Sequence, residues 1–530
     1  MTGSHTASAQ APKRTDAVIV GAGAAGNLFA AVLAEAGKSV LVLDPGPAWK
    51  AGDLYSSSIW SRRLRWGGPP VESTGANAFG AGFNMGWGTG GAALHHYGTW
   101  PRLMPSDFTM KSEFGKGLDW PIGYDDLRPF YDRVQEEVGV SGDAEAEVWR
   151  PAGAPYPLPP LQQFAQARLL AKGFHAKGMK TAPSPMAILS QDYKGRPACL
   201  YDGWCDAGCP IGALANPLVT YHPRAVKGGA RFVNGAHVTQ LIPGKTTRQA
   251  AGVEYVDSTG TTHTALADIV ILAASTVSNP SILLNSKGGD WTNGAGNGSG
   301  LVGRYFMTHS IASVYGFFDD EETEHYMGVT GAQATNMDHY GKQSLGGGAF
   351  GSLQWQLAPT MKPNDLLGVA MARADLFGAD LTAFMERAVH HLAVMFGFGE
   401  GLPLLENRIE LSDRIGPGGM KTPRVVHSFA PESVKVSEMA AQLGLGIIKA
   451  GGASEPWAGP MATAHMMGGT IMGNDPSASV TDSFGRSHEI DNLVIAGPGL
   501  FPTAGAMNPN FTNHALALRS AEHLVERWLS

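Results

Sequence analysis

Thr15-Asp-Ala-Val-Ile-Val-Gly21-Ala-Gly23-Ala-Ala-Gly26-Asn-Leu-Phe-Ala-Ala-Val-Leu-Ala-Glu-Ala-Gly37-Lys-Ser-Val-Leu-Val-Leu-Asp44 decides how the rest of this chain is read. Thr15–Val20 and Ser39–Leu43 are apolar runs of strand length, rich in β-branched residues. Between them, small and apolar residues recur at helical spacing from Ala24 until Gly37 ends the run. The pattern predicts a strand, a helix and a second strand, with Gly21-x-Gly23-x-x-Gly26 at the first turn and Asp44 at the end of the second strand. Glycines there allow a tight turn and close approach of a pyrophosphate, and the helix start offers it unpaired N–H groups and positive potential. Asp44 can accept hydrogen bonds from ribose hydroxyls. No Arg stands beside Asp44, which disfavours a 2′-phosphate and hence NADP; the pattern alone leaves FAD and NAD open.

The composition agrees with a large folded enzyme. A length of 530 residues suggests several structural units or an elaborate two-domain chain. Apolar residues make up 43% and charged residues 16%, which excludes a disordered polyampholyte. A net charge of −7 disfavours a nucleic-acid surface, which would show a basic stripe. The longest apolar runs, such as Ile269–Ala274, have strand length, so no membrane span is expected. The first fourteen residues are small and polar, lack the apolar core of a secretory signal, and read as a floppy arm. Farther on, Trp60–Tyr97 reads as long loops wrapping a ligand. Tyr124–Val138 reads as a helix with Tyr124, Leu127, Tyr131, Val134 and Val138 on one face. Residues 151–160 read as a Pro-rich linker. Phe232–Leu241, Gly252–Val256, Ala267–Ala274 and Leu493–Ala496 read as strands, and Pro280–Ser286 and Asn513–Leu529 as helices, the last packing back on the first unit. Residues 330–450 are expected to face the substrate.

Three further segments carry chemistry. Gly86-Trp-Gly-Thr-Gly90-Gly91-Ala-Ala-Leu-His95-His96 is a second Gly-dense loop, which suggests a long dinucleotide contacted twice. All three cysteines fall in one stretch, Cys199-x5-Cys205-x3-Cys209-Pro210, which points to one local thiolate site and not to disulfides spread over the fold. Iron–sulfur ligation is the first reading. Zinc is the rival, although the nearest downstream His is His222, outside the loop. The third segment is His465-Met-Met-Gly-Gly-Thr-Ile-Met-Gly473 followed by Gly505-Ala-Met-Asn508-Pro-Asn-Phe-Thr512, an order that can bring His465 and Asn508 to one cofactor. Spacing alone does not single out His465 from the 17 histidines.

Together with Leu301-Val-Gly-Arg-Tyr-Phe-Met-Thr-His309 and Glu406-Asn-Arg-Ile-Glu, these motifs resemble the glucose–methanol–choline (GMC) oxidoreductase superfamily over nearly the whole chain. The cysteine loop and Asp119-Trp-Pro-Ile-x-Tyr124-Asp-Asp-Leu127 resemble the large flavoprotein subunit of bacterial FAD-dependent sugar dehydrogenases (the glucose, fructose, gluconate and glucoside 3-dehydrogenase branch). The resemblance implies an α/β fold: a discontinuous Rossmann-like FAD-binding domain (1–125, 225–320 and 455–530) and a discontinuous α+β substrate-binding domain (126–224 and 321–454). It implies His465 and Asn508, 43 positions apart, as the catalytic pair oxidising an alcohol group of a sugar, glycoside or polyol. It places Gly21, Gly23, Gly26, Asp44, Gly90, Gly91, His95 and Val238 at FAD, with covalent attachment through His95 an open matter. It assigns Cys199, Cys205 and Cys209 to a 3Fe-4S cluster. The implied partners are a small subunit and a cytochrome c or quinone acceptor. The implied location is the periplasm or its membrane face, reached with an exported partner, with the cytoplasm as the alternative. The chain departs from the branch at Ala464, where sugar-oxidising relatives often carry Asn, at His96, which replaces an aromatic residue, and at Asn513-His514, which replaces an apolar pair. Two alternatives stay in view: a GMC enzyme acting on a non-sugar alcohol with a structural cysteine loop, and an electron-relay subunit with no substrate of its own.

Overall fold

The computed structural model describes residues 14–65, 67–79 and 84–528. Most of the expected N-terminal arm lies outside the described residues. The opening βαβ unit forms as the sequence predicts: strand Arg14–Val20, helix Ala24–Glu35, strand Val40–Asp44, with the two strands parallel. Both strands are buried on both faces, as expected of parallel strands with continuous apolar runs.

Among the described residues this sheet has seven strands. Its order is Arg231–Asn234, Val40–Asp44, Arg14–Val20, Thr262–Leu272, Ala250–Val256 and His237–Pro243, with Leu493–Ile495 also pairing parallel to Thr262–Leu272. The helix Ala24–Glu35 packs on Asn510–Glu526 and Tyr221–Lys227, so the last helix returns to the first unit. Two expectations are corrected. Phe232–Leu241 is not one strand: it breaks at Gly235, whose φ is +69°. The half before the break pairs in parallel with Val40–Asp44, and the half after it pairs antiparallel with Ala250–Val256. Trp60–Tyr97 is not all loop: it holds the end of helix Ser58–Arg65, the short strand Glu72–Thr74 and a 3₁₀ turn at Gly91–Leu94.

A second sheet, antiparallel, faces the first. Its order is Ser454–Ala458, Met307–Phe317, Leu392–Gly399, Leu353–Leu357, Ala334–Asn336 and Ala182–Pro183, with Ala462–Met467 on the same edge of Met307–Phe317. It therefore draws on segments from both sides of the expected domain division. Side chains alternate between its faces. Ala312, Val314, Trp355 and Met395 pack against helices Ala165–Ala176 and Pro431–Ala450. The opposite face carries His309, Ile311, Ser313, Phe396, Phe398 and Gln356, and all of these but His309 line a cavity shared with Val20, His237 and Val238 of the first sheet. No helix among the described residues is long and apolar enough to cross a membrane.

Candidate active site

A cavity of about 1180 Å³ runs from the first turn of the βαβ unit to the open face of the second sheet. The three glycines at its start have different tasks. A Cβ at Gly21, where φ is +101°, would lie 2.5 Å from the carbonyl oxygen of Ala273, and one at Gly26 would lie 2.0 Å from that of Gly21. These two permit the turn and the close seat of the helix on the sheet. A Cβ at Gly23 would meet no atom within 4 Å; Gly23 lines the cavity, so its Cα face is open to a ligand. Gly23 is also the N-cap of Ala24–Glu35 and has no side chain to cover the helix start.

Asp44 is buried and stitches three loops together. Its Oδ2 accepts from Ala22 N (2.9 Å), and its Oδ1 accepts from Gly46 N (2.9 Å) and Gly88 N (2.7 Å). Burial raises its pKa, and these three amides oppose the rise. A carboxylate has about four acceptor positions, so capacity remains for a ribose hydroxyl. Gly90, at φ +103°, donates its N–H to Ala22 O (2.7 Å), and a Cβ on Gly91 would lie 3.0 Å from Gly23 Cα. The second Gly loop thus closes over the first. Val238 and His95 are buried on the cavity wall. Burial lowers the pKa of His95 to about 3. His96 is held with its Nε2 on Ala215 O (2.8 Å) and its Nδ1 accepting from Gly98 N (3.2 Å). Two buried atoms of wall residues, His95 Nε2 and Asn513 Oδ1, have no hydrogen-bond partner among the described residues. A bound group with polar edges would satisfy them. Open glycine face, uncapped helix start, acidic residue and orphaned wall atoms all fit FAD.

At the far end of the cavity, His465 and Asn508 meet. Asn508 Nδ2 donates to His465 Nε2 (3.2 Å), and Asn508 Oδ1 accepts from Gln356 Nε2. With its Nε2 accepting, the imidazole carries its proton on Nδ1, which donates to His309 Nδ1 (2.9 Å). The His465 ring stacks on Phe398, with centroids 5.6 Å apart. Burial, and secondarily the neighbouring His309, hold the pKa of His465 well below its ordinary value. His309 is itself lowered to about 4 by burial, against the carbonyls of Ala504 and Gly505. The φ of His465 is +62°, a conformation that costs a non-glycine residue roughly 1–3 kcal/mol and is found mostly where surroundings fix a functional side chain.

Behind Asn508 lies a cluster without solvent contact. The side chains of Lys342, Asp107 and Glu400 are all 0% exposed, and Lys342 Nζ bonds Asp107 Oδ1 and Glu400 Oε2 (2.7 Å). Glu400 Oε1 accepts from Gly505 N (3.2 Å), and Tyr340 OH accepts from Ala506 N (3.0 Å) while donating to Asp107 (2.8 Å). The cluster grips the turn that leads into Asn508.

The cysteine loop lies beside the cavity. Cys205 is buried, and Cys199 and Cys209 are half-buried; all three are free and packed in one cluster. Tyr201 N donates to Cys199 Sγ (3.3 Å) and Leu214 N to Cys209 Sγ (3.3 Å). Cys205 is hydrogen-bonded by Thr330, a residue of the cavity wall. Burial pushes the Cys199 thiol up to about 11 and raises the other two. Among the described residues, no group of three or more His, Cys, Asp or Glu side chains is arranged around a single metal ion.

Sequence reasoning missed Gln356 and the Lys342 cluster. Gln354 and Gln356 had a signal, since they are polar at period two inside an apolar strand. The cluster had none, because its members lie 235 and 58 positions apart.

Residues 16–311 match one family model described as GMC oxidoreductase, and residues 447–517 match a second of that description. The chain is 28% identical to 2-methyl-1,2-propanediol dehydrogenase of Mycolicibacterium austroafricanum over 97% of this chain and 96% of that protein. It is 28% identical to the fructose dehydrogenase large subunit of Gluconobacter japonicus over 96% and 97% respectively. Among solved structures, pyridoxine 4-oxidase from Mesorbium loti superposes with a TM-score of 0.66 at 17% identity, covering 97% of this chain and 99% of that one. This last likeness concerns the fold.

Proposed function

The chain belongs to the GMC oxidoreductase family, and from that premise we propose that it is an FAD-dependent dehydrogenase that oxidises a sugar, polyol or smaller alcohol at His465 and Asn508. The observation that carries this reading is the continuity of one cavity from the Gly23–Asp44 cradle to the imidazole Nε2 of His465. When bound, FAD supplies the acceptor for the hydride that leaves the alcohol carbon.

The chain's own residues bind and orient the alcohol and move its proton. A hydroxyl entering between the pair donates its hydrogen to His465 Nε2 and accepts from Asn508 Nδ2, replacing their direct contact with two bonds. His465 is neutral at neutral pH, so it is ready to take that proton, a contribution typically worth about 10²–10⁴-fold in rate. His309 fixes the tautomer by accepting at Nδ1, and Gln356 fixes the amide of Asn508 with its nitrogen toward His465. Phe398 and Ile311 keep the oxidation site apolar.

Cys199, Cys205 and Cys209 would hold a 3Fe-4S cluster, which supplies one-electron transfer toward a cytochrome c or quinone. Amide N–H groups directed at two of the sulfurs support this, since such bonds stabilise thiolate ligands. A relative named as a large subunit supports a small partner subunit, and a place on the periplasmic side is proposed along with it. The test is iron and flavin content together with anaerobic flavin bleaching by a panel of alcohols and sugars. Yellow protein bleached by an alcohol supports the reading; protein without flavin, or flavin that no alcohol bleaches, contradicts it.

A further inference from the structure

The open face of the second sheet is divided by chemistry. Paired across the strands, Gln356 lies beside Phe396, and Phe396 beside Ser313. In the next row Phe398 lies beside Ile311, and Ile311 beside Ala462. Gln356 is 6% exposed and lines the cavity, so what remains open of it faces that space. Its Nε2 donates to Asn508 Oδ1 and to Gln354 Oε1 (3.4 Å), and among the described residues nothing donates to its Oε1. An acceptor oxygen therefore stands next to the catalytic amide on the polar side, while Phe396, Phe398 and Ile311 form an apolar side. Neither side carries a charged residue. The charged residues of the cavity wall are Asp44 at the cradle, Arg65, which pairs with Asp206 (3.8 Å), and Lys421, which pairs with Asp413 (3.1 Å).

We infer that Gln356 is a specificity-determining residue whose Oε1 accepts a second hydroxyl of the substrate, close to the one being oxidised, and that the site takes a small neutral diol with an apolar flank in preference to a monoalcohol or a sugar acid. The inference rests on His465 and Asn508 being the oxidation site. A diol places one hydroxyl between His465 and Asn508 and the other on Gln356, and leaves its carbon edge to Phe396 and Phe398. A monoalcohol leaves the Gln356 oxygen buried and unpaired, which is the way a polar site rejects an analogue lacking one hydroxyl. A carboxylate finds no cation on this face.

The experiment measures anaerobic flavin reduction of the full-length holoenzyme by 1,2-propanediol, 1-propanol, D-fructose and sodium gluconate. Wild type is expected to favour 1,2-propanediol over 1-propanol by about 10–100-fold in the bimolecular rate constant, the cost of one unsatisfied buried acceptor, with gluconate the poorest. Gln356→Leu, similar in volume, is expected to bring that preference to within about threefold. Gln356→Glu, which keeps an acceptor but loses the donor to Asn508, should slow both alcohols and retain the preference for the diol. Equal rates with 1,2-propanediol and 1-propanol in wild type, a preference for gluconate or fructose, or a Gln356→Leu variant that slows both alcohols equally would overturn the inference and leave alcohol oxidation standing. Flavin that none of the four bleaches would overturn the oxidation reading and this inference with it.

Discussion

Replacing Lys342 by Met removes the ammonium that two carboxylates share in a site with no solvent. Burial alone would strip Lys342 of its proton, but Asp107 and Glu400 reverse that and leave its pKa above the ordinary value, so the ammonium stays charged across the working range. In the variant, Asp107 and Glu400 are left facing each other without a cation. Removing one partner of a buried ion pair typically costs about 3–5 kcal/mol, because the desolvated charge left behind is uncompensated. With an unfolding entropy of roughly 2.1 cal/mol/K per residue, this chain unfolding as one unit has about 1.1 kcal/mol/K, so the cost becomes a fall of about 3–5 °C in Tm. The fall is larger if the antiparallel sheet and its helices melt separately. Calorimetry at pH 7.5 with excess FAD measures it. Because Glu400 and Tyr340 hold the amides of Gly505 and Ala506, flavin reduction should slow as well, while bound FAD remains. Glu400→Gln added to Lys342→Met should recover part of the Tm. A Tm change under about 1 °C would refute the reasoning, because it would mean that water or rearrangement satisfies two carboxylates that have no solvent exposure in the folded protein.

Gly23→Val should give folded, colourless protein with the Tm of the FAD-free wild type, because a Cβ there meets no protein atom within 4 Å and the side chain occupies the ligand's place; retention of FAD would contradict this. Gly26→Val, by contrast, should fail to fold, since its Cβ would fall 2.0 Å from a backbone oxygen. Cys205→Ser should lose iron and turnover with cytochrome c while the flavin is still bleached by alcohol, and one zinc per wild-type chain with no iron would contradict the cluster. Acid should destabilise the protein early. His95 (about 3), His309 (about 4) and His514 (about 4) have folded-state pKa values below that of the unfolded chain, so the unfolded state binds more protons as pH falls below about 6.5. Stability from these three is full above that pH and is lost below it at up to about 1.4 kcal/mol per unit for each group, read as Tm against pH. A flat Tm between pH 7 and 5 would contradict the burial of these rings.

The parts legible in the sequence are those whose determinants are local. Arg14–Asp44 could be read because turn glycines, helix spacing and strand runs sit within thirty-one consecutive residues. Tyr124–Val138 forms over its expected span because five apolar positions share one face, and all five are buried. The split of Phe232–Leu241 was hidden because both halves are apolar and the change lies in which strand each half pairs with. Helix Ser58–Arg65 was hidden by its composition, since Arg62, Arg63 and Arg65 leave it only Ser61 and Leu64 to bury. His465 and Asn508 were legible only through resemblance. Their meeting depends on the left-handed turn at His465 and on the Lys342 cluster beneath residues 505–506, which no spacing rule encodes. His514, where the chain departs from the sugar-dehydrogenase branch, is packed against Trp100 (4.6 Å between centroids) with its Nδ1 on Asn510 O (2.7 Å), and it does not line the cavity.

The most direct measurement is anaerobic stopped-flow bleaching of the flavin by alcohol, in wild type and His465→Ala, from pH 5 to 9. The imidazole works as a base only when unprotonated, and burial holds its pKa well below the ordinary value of 6.5, so the wild-type rate should be level at neutral and alkaline pH and fall only in acid. His465→Ala should keep its yellow FAD, lose about 10²–10⁴-fold in rate and lose the acid limb. A His465→Ala enzyme that reduces its flavin at near wild-type rate, with the same acid limb, would contradict the assignment of the base.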